Sequence, residues 1–95
     1  MQYYVYMMTN AKYGTIYTGV TNNLVSRVTD HREKKKAGFT NRYNLTKLVH
    51  YEPYADVRDA IQREKAIKAW KREWKIELIE KENPDWRDLY GEIIK

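Results

Sequence analysis

Residues 3–20, YYVYMMTNAKYGTIYTGV, narrow most sharply what this chain can fold into. Residues 3–8 and 15–20 are rich in tyrosine, valine, threonine and isoleucine, types that fit a pleated, half-buried strand. Thr9 to Gly14 supply turn chemistry, and Asn10 and Gly14 are suited to positive φ. The pattern predicts a β-hairpin. Tyr6 and Tyr17 lie equally far from Ala11–Lys12, the middle of the turn, so symmetric pairing would stand the two phenols side by side on one face. Tyr17 shares that face with Thr15 and Gly19 by the period of two. Gly19, with no side chain, is expected where another backbone or a ligand approaches closely.

Ninety-five residues make one domain, expected over 1–95 with a core at about 2–82 and a helical tail at 83–95. With no cysteine, neither disulfides nor a thiolate metal site can contribute. Packing must supply the stability, and an aromatic content of 14% is a source of it. No apolar run approaches the ~20 residues that span a bilayer, and no basic-then-apolar leader opens the chain. A soluble cytoplasmic protein with no membrane partner is expected. The formal charge of +5 favours a polyanionic partner, nucleic acid ahead of an anionic membrane. Positive charge gathers at Arg32–Lys47 and Arg58–Lys75, whereas residues 77–92 are biased to Asp and Glu. That asymmetry is what a one-sided, phosphate-tracking surface requires.

After the hairpin, Asn22–Asn23 offers an N-cap, and the spacing predicts a helix from Leu24 to about Lys36, stopped by Gly38. Leu24, Val28 and His31 form its inner stripe, with Arg27 adjoining. Leu45 to Tyr51 reads as a third strand closed by Glu52–Pro53. Asp56 can cap a second helix, with an apolar stripe of Val57, Ala60, Ile61 and Ile67. The periodicity runs on through Trp70, Trp74 and Leu78. Its length predicts a break near Trp70–Arg72. Trp86, Leu89, Tyr90 and Ile93 repeat at helical spacing after Asn83–Pro84, predicting a short terminal helix. The order is ββαβα with a C-terminal helical extension: an α+β domain with a three-stranded antiparallel sheet flanked by helices.

Glu64 interrupts the apolar stripe of the second helix, and a buried carboxylate is costly unless it is paired or bound to a cation. Two readings stand: a carboxylate at the core's edge paired with Lys68 at i+4, or a metal ligand aimed at the tyrosine face. One carboxylate with waters and a substrate phosphate is an acceptable Mg²⁺ site. Arg27 can meet a phosphate with a planar donor fork, or its stem can simply cover apolar surface. His31 gains interest from its place beside Arg27; otherwise it is a packed histidine. The nine tyrosines serve mainly as core and half-buried sheet residues. A phenol near pKa 10 needs a nearby cation to act on a water at neutral pH. Trp70 and Trp74, at i and i+4, fall on the apolar stripe and read as core. The sequence offers no cysteine nucleophile, phosphate-cradling glycine loop or His/Cys zinc spacing.

With those residues in place, the chain resembles a GIY-YIG nuclease domain over residues 2–82. Tyr4-Val5-Tyr6 stands at the first motif and Tyr17-Thr18-Gly19 at the second. Arg27, His31 and Glu64 fall where the family carries its helix arginine, a histidine or tyrosine, and its metal-binding glutamate. The stretches GFTNRYN, REKAIKAW and NPDWRDL resemble a branch of small single-domain bacterial members. Tyr4 stands where the first motif has glycine, Thr18 where the second has isoleucine, and Val20 where some repair nucleases of the family have lysine. The resemblance implies a DNA endonuclease that hydrolyses phosphodiester bonds with one metal ion, Mg²⁺ or Mn²⁺, held by Glu64. Tyr6 or Tyr17 would orient or deprotonate the attacking water, Arg27 would neutralise phosphoryl charge, and His31 would assist proton transfer. Lys34, Lys35, Lys36, Arg42, Lys65, Lys68 and Arg72 would track the backbone of nucleic acid, DNA ahead of RNA, with no small-molecule cofactor. A non-catalytic nucleic-acid-binding module of the same fold is the alternative.

Overall fold

The computed structural model describes residues 1–33 and 43–95. Within them the chain forms β1 (Tyr3–Thr9), β2 (Ile16–Thr21), α1 (Leu24–Glu33), β3 (Lys47–Tyr54), α2 (Val57–Ala69), α3 (Arg72–Glu82) and a single turn of helix, α4 (Tyr90–Ile93). The sheet is antiparallel throughout, in the order β2-β1-β3. The expected α+β architecture is therefore present. The expected run of α1 to Lys36 and its stop at Gly38 lie outside the described residues.

β1 lacks the polar alternation of a strand with one wet face, because both of its faces are covered. Val5 and Met7 pack with Val49, Ala60, Ile67, Ile79 and Trp86 on one side, which α2 and α3 close. Tyr6 and Met8 pack with Leu24, Val28, Leu45, Leu48 and Leu89 on the other, which α1 and the C-terminal segment close. The sheet separates two small cores rather than capping one.

β3 does not stop at Glu52–Pro53 but runs on to Tyr54, with Tyr4 opposite Pro53. Proline is tolerated there because β3 is an edge strand. The β1–β3 register slips between Met7 and Met8, so that Met7 faces His50 and Met8 faces Leu48. Val49 is the extra residue of this bulge. Its carbonyl accepts from the buried Asn83 side chain (Nδ2, 3.2 Å). The outer side of β3 is tied down by Asp88 and Leu89: Leu89 N donates to Leu48 O (2.7 Å), and Leu48 N to Asp88 Oδ1 (3.2 Å). This contact protects a sheet edge that would otherwise invite further strands. Arg32 on α1 pairs with the same Asp88, and Thr29 hydrogen-bonds the Tyr90 phenol (2.8 Å).

The terminal helix is shorter than the spacing predicts. Asn83 is the C-cap of α3, not the N-cap of a new helix, and its Oδ1 accepts from Arg87 N (2.9 Å). Trp86 takes φ 57°, outside helical space. Its burial comes from this turn, where the indole donates to Glu80 (2.8 Å). The break after α2 is where the spacing predicts it. Trp70 and Lys71 are both extended, at ψ 155° and 150°. Asp56 caps α2 as expected, accepting from Arg58 N (2.8 Å).

α2 is pinned to β3 by Glu52. Its carboxylate takes both Nε and Nη2 of Arg63 (2.9 and 3.0 Å), His50 Nε2 (2.8 Å) and the Tyr54 hydroxyl (2.9 Å). Burial works against its charge, but hydrogen bonds from His50, Arg63 and Tyr54 prevail and hold its carboxyl at about 2, against the ordinary 4.5. A lowered folded-state value stabilises the fold above pH 4.5 and ceases to do so as the pH falls from 4.5 towards 2. The displacement corresponds to roughly 3 kcal/mol at neutral pH. Glu52→Gln is therefore expected to lose about 2–3 kcal/mol at pH 7, and much less at pH 3, in urea denaturation followed at both values. An equal loss at both would contradict this account.

Candidate active site

The hairpin register decides how the tyrosines meet. Tyr6 lies opposite Gly19 and Met8 opposite Tyr17, so the two phenols are diagonal neighbours and not the directly facing pair that symmetry about Ala11–Lys12 predicts. The turn closes from Ala11 to Gly14 (Gly14 N to Ala11 O, 2.8 Å), with Tyr13 at φ 62°. Its centre thus falls at Lys12–Tyr13. Asn10 is drawn into the turn by accepting from Thr15 N (3.0 Å). A shift of two residues preserves the face, so Tyr6 and Tyr17 still meet, at 6.2 Å between ring centroids.

Gly19 makes this possible. A Cβ there would stand 2.7 Å from the Tyr6 hydroxyl, 2.8 Å from its Cζ and 3.0 Å from Tyr17 Cε2. The close approach expected at this glycine comes from Tyr6, whose ring lies across β2 from inside the sheet. Its hydroxyl meets His31 Nε2 at 3.2 Å. The imidazole sits 5.9 Å from the rings of both Tyr6 and Tyr17. Leu24 and Val28 are buried under α1 as the stripe predicts, and they set the helix rotation that brings Arg27 and His31 to this edge.

Burial shifts the two proton-carrying groups in opposite directions. It raises Tyr6 above the usual tyrosine range, helped by the Tyr17 phenol and opposed by the Arg27 guanidinium. It also lowers His31 below 6.5, assisted by Arg27 and opposed by Asp30. At neutral pH both are uncharged: a protonated phenol against a neutral imidazole able to accept a proton.

Glu64 reaches the site differently from the expectation that its helix faces the tyrosines. α2 packs on the opposite face, its Ala60 and Ile67 buried with Val5 and Met7. The side chain, 15% exposed, pairs with Lys68 Nζ at 3.0 Å. That same ammonium stands 5.9 Å from the Tyr17 ring, so the route from Glu64 to the tyrosines passes around edge strand β2. A cavity of about 250 Å³ marks the same edge, lined by Asn22 and Arg27 from the α1 side and by Val57 and Ile61 of α2. Val57 and Ile61, expected in the apolar core stripe, are 37% and 38% exposed. Asn23 alone acts as the cap (Ser26 N to Oδ1, 3.1 Å), and the exposed Asn22 lines the cavity. A sequence pattern that interrupts an apolar stripe flagged Glu64, but no such signal marks the cavity wall.

Among the described residues, no group of three or more His, Asp or Glu gathers to hold a metal ion. Glu64 would be a lone protein ligand, and one shielded carboxylate completed by water and phosphate oxygens suits Mg²⁺ or Mn²⁺. Of the basic residues, Lys34, Lys35, Lys36 and Arg42 lie outside the described residues. Lys65 and Lys68 are exposed on α2. Arg72 turns to the hairpin instead, its Nη2 donating to Tyr13 O and Gly14 O at 2.6 Å each. Tyr3 and Tyr4 pack against the two cores, and the exposed Tyr13 rests on Trp86.

Comparison with known proteins bears on this arrangement. Residues 2–77 match the family of the GIY-YIG catalytic domain. The chain is 38% identical over 76 residues to a UPF0213 protein of Clostridium perfringens, covering 80% of this chain and 81% of that one. It is 33% identical over 79 residues to a UPF0213 protein of Staphylococcus haemolyticus, covering 83% and 95%. It also resembles the solution structure of a UPF0213 protein from Bacillus halodurans, with a TM-score of 0.58 and 26% identity over 93% of each chain.

Gly19→Ala tests the packing at the centre of the site. The added methyl must displace the Tyr6 ring, which β1 and α1 hold from the other side. A loss of about 1–3 kcal/mol is expected in chemical denaturation, the range for overpacking. Adding Tyr6→Phe should recover part of it by removing the hydroxyl that the methyl meets. No loss in the single variant would mean that the ring does not lie over Gly19.

Proposed function

The chain belongs to the GIY-YIG family of nuclease domains, and on that premise we propose that it is a metal-dependent DNA endonuclease hydrolysing phosphodiester bonds. The observation carrying the proposal is the contact of Tyr6 with a neutral His31, flanked by Arg27 and Tyr17, on the strand edge that Glu64 and Lys68 approach from behind. No helix among the described residues is long and apolar enough to cross a membrane.

A single Mg²⁺ or Mn²⁺ ion, held by Glu64, would supply Lewis-acid stabilisation of the leaving 3′ oxygen. The remaining work falls to the chain. Tyr6 stays protonated and is fully buried, so its work is to hold His31, its hydroxyl meeting Nε2 at 3.2 Å. His31 is the base, and its lowered affinity for protons keeps it ready to accept one at neutral pH. Tyr17 holds the attacking water in line. Arg27 sets its planar fork against phosphoryl oxygens as their charge grows. Lys68, which pairs with Glu64 at 3.0 Å, would be free to turn to the phosphate with a cation held by that carboxylate. With Lys65 it contributes a salt-dependent, largely sequence-independent attraction to the backbone.

The same Glu64–Lys68 pair supports a second reading. A carboxylate already neutralised at 3.0 Å needs no metal, and the domain would then bind nucleic acid without cutting it.

Nicked and branched DNA, with an RNA control, separate the two readings when incubated with and without Mg²⁺. Glu64→Ala is expected to lower the single-turnover cleavage rate at least ~100-fold, within the span of such electrostatic contributions. DNA affinity should stay within a few-fold. Full metal-dependent cleavage by the variant would overturn the role of Glu64, and tight binding without cleavage of any substrate would favour the binding module.

The pH profile tests His31. A base whose folded-state value lies below 6.5 should keep the rate level from pH 8 to about 6.5, with the decline at lower pH. His31→Ala should lose roughly 100-fold, and the low-pH decline should disappear with it.

A further inference from the structure

Trp70 and Trp74, which their spacing assigns to the core, part company in the structure. The extended residues Trp70 and Lys71 break the helix between them, so the i, i+4 rule does not carry across. Trp70 packs half-buried against the α2–α3 core. Trp74 is turned outward, 49% exposed, and stands edge-to-face on Trp70 with centroids 6.4 Å apart. The two rings form one side of a surface groove of about 470 Å³, completed by Leu78, Glu77 and Lys81. That size lies within the roughly 300–1,000 Å³ of small-ligand sites. Lys71 Nζ lies 5.8 Å from the Trp74 ring, and the Arg63 guanidinium 5.0 Å from the Trp70 ring.

We propose that this groove seats an unpaired base of a DNA strand, stacked on Trp74, while Lys71 and Lys81 hold the phosphates on either side. The proposal rests on the reading of the chain as a DNA nuclease and names the kind of substrate: one with a single-stranded stretch beside the cleaved bond. Exposed aromatic rings bracketed by cations are what a flexible strand requires, because each base offers a π-face and each linkage a charge. A duplex keeps its bases stacked and cannot present one to a ring at the rim. A second copy of the chain fits less well. Lys71 and Lys81 stand against the single carboxylate of Glu77, Arg63 being taken up by Glu52, and on a chain of charge +5 this face would meet its like. Trp70, one wall of the groove, is the C-cap of α2, the helix that carries Glu64.

The test uses Glu64→Ala protein without divalent ions, so that binding is read independently of cleavage. Fluorescence anisotropy would compare a single-stranded DNA 12-mer, the same strand with abasic sites, its duplex, and the RNA strand. Trp74→Ala is expected to weaken binding of the single strand roughly tenfold, the size of one lost stacking contact. Duplex affinity should remain within about twofold. Trp74→Phe should retain most of the affinity, and the protein that keeps Trp74 should bind the abasic strand roughly tenfold more weakly than the full strand. This last comparison needs no variant at the groove and stands even if Trp74→Ala folds poorly.

Equal losses on single strand and duplex would overturn the proposal. So would unchanged single-strand binding accompanied by loss of a concentration-dependent dimer in sedimentation. Tighter, Trp74-dependent binding of RNA would overturn the assignment to DNA. Cleavage of nicked DNA by the unsubstituted protein reports separately on the nuclease reading, so either idea can fail while the other stands.

Discussion

Strand β1 is covered on both faces, and the rest of the molecule is arranged to cover it. A three-stranded sheet offers little area, and the chain has no disulfide to assist it. Using both faces roughly doubles the apolar surface that the central strand can bury, at about 25 cal/mol per Å² removed from water. The consequence is a split core: α2 and α3 over Val5 and Met7, α1 and the C-terminal segment over Tyr6 and Met8. Each helix layer must then be fixed to the sheet separately. Glu52 with Arg63 does this for α2, Asp88 with Arg32 for α1, and Asn83 for the bulge of β3.

That division places the candidate site. β3 has its outer side occupied by Asp88 and Leu89. β2, at the other edge, is where side chains from opposite layers can meet. Arg27 and His31 arrive from the α1 layer, and Glu64 and Lys68 from the α2 layer. Gly19 lets the Tyr6 ring through to the same edge. One physical cause, burial, then prepares two partners in opposite senses: the phenol holds its proton more tightly and the imidazole less so. Arg27 lowers both, which reduces the mismatch on the phenol and widens it on the imidazole. An imidazole kept neutral next to a permanent cation suits the role proposed for His31 in a reaction that develops negative charge on phosphate.

The break at Trp70–Lys71 has a comparable effect on the surface. An uninterrupted helix would have carried Trp74 onto the stripe of Ala60 and Ile67. The extended residues reset the phase, so α3 buries Ile79 in the same core and leaves the indole outside. Arg72, freed from the α2 face by the same break, closes the hairpin tip. A basic residue and an aromatic one, similar in the sequence to their neighbours on the helix, thereby acquire different duties.

Much of this was legible in the residues. The hairpin, the helix stripe of Leu24 and Val28, the Asp56 cap, the break after α2 and the anomalous Glu64 all depend on local spacing, which the linear chain carries in full. The register of Tyr6 was not legible, because one hydrogen bond in the turn, from Gly14 to Ala11, moved the centre of the hairpin by one position. The terminal helix was not legible either: Asn83 serves a bulge in β3 thirty-four residues earlier, and Trp86 leaves helical space to fill the core beneath it. Sequence alone determined which residue types were available for chemistry and which local elements would carry them. Only the tertiary structure decided that they meet across the β2 edge, that Val57 and Ile61 remain uncovered there, and that Trp74 faces water. Periodicity reports which side of an element is apolar; which layer covers that side, and where the cover ends, is set by contacts between residues far apart in the chain.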